Sequence, residues 1–272
     1  MTQFARMLKL SLIAAAVAAL SACGGDGGSD ASTGSVSNPT PTPTAVPTPT
    51  PAPTPTATAF VAGAKPGYFL IWGGSVSIGK LDTVQQDSAG AIRSVSSFTT
   101  TADSTVGDVL STAHVATGEW QSGSTSYVSG GNTDGPYDNK SYGYSYVVYN
   151  NVQAYAGDAT LTCTPHFTTP MNAGKFASIT GTATLSINGG VANAAVNMTL
   201  TATDKSQTNI SNSATLAPGM NNMGTLLAGG SRTSAALLLG EGEAGGYTLI
   251  APWAASTTAG GKYTGIAVFN CK

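Results

Sequence analysis

Charge is what this 272-residue chain most lacks: Lys and Arg together number 11, Asp and Glu 13, and the net charge is -2. Charged residues make up 9% of the sequence, against about 25% in an ordinary soluble protein. No basic surface exists to neutralise phosphates, so nucleic acid is excluded as a partner. The shortage of charge does not imply disorder, because disordered chains combine low hydrophobicity with high net charge and 41% of this chain is apolar. Histidine is also scarce, with only His114 and His166. Two isolated histidines do not make a zinc site, and a metal or haem role for His166 is weaker than a place in a loop or at a strand end. No Gly-x-Ser-x-Gly elbow occurs, so a serine hydrolase has no support beyond abundant serine. No cofactor is implied.

What is present begins with an address. Arg6 and Lys9 precede an uncharged apolar run from Leu10 to Leu20, the pattern of a secretory signal peptide. Such a run reaches about 16 Å as a helix, too short for a hydrocarbon core of about 30 Å, so a permanent transmembrane anchor is disfavoured. The run ends in Leu20-Ser21-Ala22-Cys23, which resembles the lipobox of bacterial lipoproteins. That resemblance implies removal of residues 1–22 and acylation of Cys23, with the membrane as partner through the lipid. In such lipoproteins an Asp after the cysteine favours inner-membrane retention. Here the position is Gly24, which implies the outer membrane.

Residues 23–58 read as a tether. The first part is rich in Gly and Ser and cannot pack, and Asn38 to Thr58 holds eight of the 14 prolines, mostly at alternate positions. Proline's fixed φ favours polyproline II, which over this stretch spans about 65 Å. A stiff spacer and a protease-resistant linker without tuned length are both compatible with it.

From residue 59 onward helical periodicity is nearly absent. Short alternating runs broken by Gly, Asn and Asp predict an all-β domain over 59–272, an antiparallel sandwich or barrel. Tyr68 to Trp72, Val76 with Ile78, Ala91 to Phe98, Ala235 to Leu239, Tyr247 to Ala251 and Lys262 to Phe269 read as strands. The clearest unit places Ala183, Leu185 and Ile187 on one face, turns at Asn188-Gly189-Gly190, and returns with Ala194, Val196, Met198, Leu200 and Ala202 on one face. The opposite faces carry Ser, Thr and Asn rather than Lys and Glu, which leaves sheet edges poorly guarded unless the sheet closes. If Cys23 carries lipid, Cys163 and Cys271 remain as an even pair in an oxidising compartment, and a disulfide between them is expected.

Several motifs carry possible chemistry. Gly74 to Leu81 nearly spells a phosphate-binding loop, but Leu81 stands where a hydroxyl should hold magnesium, and the interior alternates like a strand. Ser77-Ile78-Gly79-Lys80 fits a penicillin-binding Ser-x-x-Lys, yet the helix it needs is missing and Lys262-Tyr263-Thr264-Gly265 carries an insertion in the third element. Asn132 to Asn139 gathers oxygens without EF-hand spacing, so a plain turn is a better reading than a calcium loop. Tyrosine is the densest feature: seven of ten lie between Tyr127 and Tyr155. Tyr142, Tyr144 and Tyr146 would point one way on a strand. Tyr137, Tyr142, Tyr144, Tyr146 and Tyr149 are therefore candidates for contact with an extracellular protein or glycan, with a buried inter-sheet face as the structural alternative.

Near the C-terminus, Gly224 to Ser231, Glu243-Ala244-Gly245-Gly246-Tyr247 and Gly261-Lys262-Tyr263-Thr264-Gly265 resemble the barrel lobes of transferrin-binding-protein-like surface lipoproteins. The resemblance covers roughly 176–272 and lacks the family's Phe-Tyr-Gly-Pro-x-Ala stretch. It implies a β-rich handle over 59–170 and an eight-stranded barrel over 171–272, and carries over no binding residues. The sequence thus favours a non-enzymatic, outer-membrane-anchored lipoprotein that binds an extracellular protein, glycan or nutrient carrier. The alternatives are a structural or adhesive envelope protein and, third, an exported hydrolase.

Overall fold

A computed structural model describes residues 57–73, 75–168, 176–219, 227–228, 237–256 and 262–272. Cys23 and the tether as far as Thr56 lie outside the described residues, as does most of Gly224 to Ser231. The fold is all-β, in three sheets.

The middle sheet contains β1 (Pro66–Trp72), β2 (Ser75–Lys80), β6 (Val106–Ser111), β7 (Val115–Trp120) and β10 (Tyr144–Asn150), in the order β2-β1-β10-β7-β6. A front sheet is built from β3 (Val84–Gln86), β4 (Ile92–Val95), β5 (Phe98–Thr100), β8 (Ser124–Ser129) and β9 (Asn132–Asp138), in that order. The third sheet curls into a half-barrel. Its members are β11 (Ala159–Phe167), β12 (Phe176–Asn188), β13 (Val191–Ala202), β14 (Gln207–Leu216), β15 (Leu227–Ala228), β16 (Leu238–Glu241), β17 (Tyr247–Ser256) and β18 (Lys262–Cys271). The path runs β14-β13-β12-β11-β18-β17-β15, with β16 also paired to β17.

The apolar run of β1 is explained by its place between two layers. Side chains alternate along a strand, so Tyr68 and Leu70 enter the core under the front sheet while Phe69 and Ile71 enter the core against the half-barrel. β10 divides likewise, with Tyr144, Tyr146 and Val148 on the first side and Val147 and Tyr149 on the second. The half-barrel supplies Leu238, Ile250, Ile266 and Val268 to that shared core. The front sheet is also fastened by polar bonds: the Ile92 amide donates to Tyr146 Oη at 3.0 Å, and Trp120 Nε1 donates to the Ile92 carbonyl at 2.7 Å.

Where only one face is covered, alternation returns. Leu185, Ile187, Ala194, Val196, Met198, Leu200, Ile210 and Leu216 line the inside of the half-barrel with Trp253 and Phe269. The β12–β13 hairpin turns at Gly189 and Gly190, whose φ values of 60° and 78° are those of a type I′ turn, with Asn188 opposite Val191. Cys163 on β11 and Cys271 on β18 are register partners, and they form the expected disulfide with an S–S distance of 2.07 Å.

Two sequence expectations need correction here. Ala91 to Phe98 is not one strand, because Ser96 takes φ 50° and turns the chain between β4 and β5. The Ser96 hydroxyl accepts from the Asp82 amide at 3.2 Å, a local bond that serine readily offers at turns. Tyr142 does not continue β10; it ends a four-residue helix, α1 (Asn139–Tyr142), capped by Asp138 and closed at Gly143.

Candidate functional site

The tyrosine cluster divides between interior and surface. Tyr144, Tyr146 and Tyr149 are 1%, 0% and 1% exposed, and burial pushes all three phenols well above their ordinary range. They are core residues and cannot be contacted by a partner, which corrects the reading of those three as contact candidates. Tyr137 is half-buried, and Tyr142, at 41% exposure, is one of the few large hydrophobic side chains open to solvent among the described residues.

Tyr137 and Tyr142 belong to an aromatic series that continues outward from the core. Trp120 packs on Tyr144, and Tyr144 stacks on Trp72 with centroids 6.3 Å apart and planes within 5°. Trp72 meets Tyr127 at 5.5 Å and Tyr137 at 6.1 Å. Tyr127 stacks on Phe98 and Tyr137, and Tyr137 takes Tyr142 edge-on at 5.0 Å. Trp72, Tyr127 and Tyr137 are each half-buried, so the outer end of the series presents ring surface that is held from behind.

Asp134 fixes the rings at this end. Tyr127 Oη donates to Asp134 Oδ2 and Tyr137 Oη to Asp134 Oδ1, both at 2.7 Å, and the Gly135 amide adds a bond to Oδ1 at 2.9 Å. The tyrosine hydrogen bonds hold the Asp134 carboxyl below its usual range, Tyr127 first and Tyr137 second. The same contacts raise both phenols, Tyr137 to about 12. At neutral pH the surface therefore carries an ionised carboxylate beside neutral phenols.

The β8–β9 hairpin makes this arrangement. Gly130 and Gly131 turn with φ of 57° and 81°, and their register puts Ser129 opposite Asn132, Val128 opposite Thr133 and Tyr127 opposite Asp134. The Gly-Gly turn was the signal that could have paired Tyr127 with Asp134 from sequence. Trp72 comes from a distant strand and left no such trace.

The other candidate motifs have ordinary places. Within Asn132 to Asn139 the two carboxylates and Asn139 are engaged: Asp134 holds the tyrosines, Asp138 caps α1, and buried Asn139 bonds Thr125, Thr100 and the Ser122 carbonyl. Among the described residues no group of three or more metal-ligating side chains gathers. His166 Nε2 lies 3.2 Å from the Asp108 carbonyl. His114 Nδ1 lies 3.6 Å from Glu241 Oε2, beside a groove shared with Tyr155 and Tyr247. Ser77 to Lys80 lies on strand β2 and not on a helix. Comparison with known proteins gives no match: no family model, curated protein or solved structure is similar to the chain.

Proposed function

We propose that the protein is a lipid-anchored, non-catalytic envelope protein whose β-domain holds an extracellular glycan on the surface formed by Trp72, Tyr127, Tyr137 and Tyr142. The observation that carries the reading is the exposed ring surface ending in an ionised Asp134. Rings pre-fixed by a carboxylate lose little entropy on binding, and aromatic side chains give large contact area with a polar rim. The C–H faces of a pyranose suit such rings, and its hydroxyls suit a carboxylate acceptor. The low charge of the chain and its export signal fit an uncharged extracellular ligand better than a phosphorylated one.

The anchor is Cys23, with the Pro/Thr tether as spacer. A Cys23→Ser chain should leave the membrane fraction and lose palmitate labelling. The binding surface is tested by a glycan array probed with the full-length protein in detergent. Asp134→Asn should weaken every retained oligosaccharide by about tenfold, since the charge is lost and one of the two rings loses its acceptor to an NH2 group. An array with no retained oligosaccharide, or retention indifferent to Asp134→Asn, contradicts the reading.

A further inference from the structure

The half-barrel carries a second surface of a different kind. β12, β13 and β14 contain no charged residue. Inward side chains such as Leu185, Val196, Met198 and Ile210 enter the core, and outward side chains fall in register into five cross-strand rows. These are Ser178–Thr201–Gln207, Thr180–Thr199–Asn209, Thr182–Asn197–Ser211, Thr184–Ala195–Ser213 and Ser186–Asn193–Thr215. Every member except Ala195 is a hydroxyl or a carboxamide, and all are exposed or half-buried.

The face is ordered, and it is shallowly hollowed. Thr199 Oγ1 donates to Asn209 Oδ1 at 3.0 Å and Thr215 Oγ1 donates to Asn193 Oδ1 at 3.1 Å. With these two carbonyl oxygens so engaged, Asn209 and Asn193 offer a ligand their carboxamide NH2 groups, and the threonine oxygens remain acceptors. Two depressions lie on consecutive rows, one of about 600 Å³ along the second and third and one of about 320 Å³ along the fourth and fifth. At about 6.8 Å per two residues of strand, the five rows extend about 27 Å.

We propose that this trough binds a chain of neutral polysaccharide. The chemistry of the face selects that occupant. Anionic and cationic polymers find no countercharge, so salt-dependent attraction is absent. A protein partner, including a second copy, finds no aromatic or arginine anchor and no apolar centre of the sort that holds stable interfaces. A neutral glycan chain matches the face in charge, in donors and acceptors, and in length, through many weak hydrogen bonds spread along it. The inference does not rest on the aromatic surface, which is built by other strands.

The test is affinity electrophoresis of the full-length protein in gels containing dextran, hydroxyethylcellulose or galactomannan, with sedimentation as a control for self-association. At least one of these polymers should retard the native chain. The triple variant Thr182→Val, Asn197→Ala, Thr199→Val keeps the β-branched stems at two exposed or half-buried positions and should reduce that retardation constant by about tenfold or more. Asp134→Asn should leave it unchanged, so failure of the trough and failure of the aromatic surface are told apart. A second triple variant in the first row, Ser178→Ala, Thr201→Val, Gln207→Ala, guards against misfolding and should give an intermediate loss. Absence of retardation by all the polymers, equal retardation of native and triple-variant chains, or self-association abolished by the variant in place of polymer binding overturns the proposal.

Discussion

Replacing Glu119 by Gln should flatten the dependence of stability on pH. Glu119 sits on β7 in the middle sheet, 6% exposed, opposite Ser145 on β10 and Gly107 on β6. Its neighbour Ser145 has a buried hydroxyl without a hydrogen-bond partner. Burial pushes the carboxyl up to about 7 from 4.5; the Gln121 bond at 3.2 Å opposes the rise and the charge of Asp108 adds to it. A folded-state value above the unfolded one means that the folded chain binds the proton more tightly. The stabilisation is complete below about pH 4.5 and is lost as pH rises through about 7. Linkage at 1.36 kcal/mol per pH unit gives a loss of about 2.5 kcal/mol between pH 5 and pH 8.5. Urea unfolding across that range should show the loss in the native chain and not in Glu119→Gln. The difference between the two removes the histidines and surface carboxylates they share. A difference that is constant with pH refutes the reasoning, whatever its size.

Other consequences are simpler to measure. Removing the bridge with Cys163→Ser and Cys271→Ser opens a separation of 108 residues, for which chain entropy gives a cost of about 4 to 5 kcal/mol, read by urea unfolding of both chains. Tyr146→Phe leaves the buried Ile92 amide without its acceptor and should cost about 1 to 3 kcal/mol of stability. Binding through Asp134 should stay constant from pH 5 to pH 8, because its carboxyl is held below the usual range; an affinity that falls within that window would remove the carboxylate from the site.

Much of the fold was legible because it depends on local pattern. Alternation gave the β12–β13 hairpin, with Leu185 and Met198 inside and Asn197 outside, and the glycine pair located its turn. The cysteine pair was legible by parity once Cys23 was assigned elsewhere. What alternation could not give was layering. Tyr142, Tyr144 and Tyr146 read as a platform because the small Gly143 and Ser145 between the rings suit a strand with an open side. Yet Ser145 is 0% exposed, since β10 lies between two other layers. The end of the strand was likewise hidden: Gly143, with φ 58°, breaks the Tyr-x-Tyr-x-Tyr period and puts Tyr142 on a helical turn at the surface. The candidate surface joins Trp72 of β1 to Tyr127 and Asp134 of the front sheet, a long-range contact that no spacing encodes.

The central claim is that rings at the surface bind while rings in the core only support. It is tested most directly by one paired measurement, Tyr142→Ala against Tyr146→Phe, with thermal unfolding and retention on a glycan array read from the same preparations of full-length protein. The account predicts that Tyr142→Ala keeps the native unfolding temperature and loses retention, whereas Tyr146→Phe unfolds earlier and retains glycan as the native chain does. Retention unaffected by Tyr142→Ala in a chain that binds glycan would contradict it.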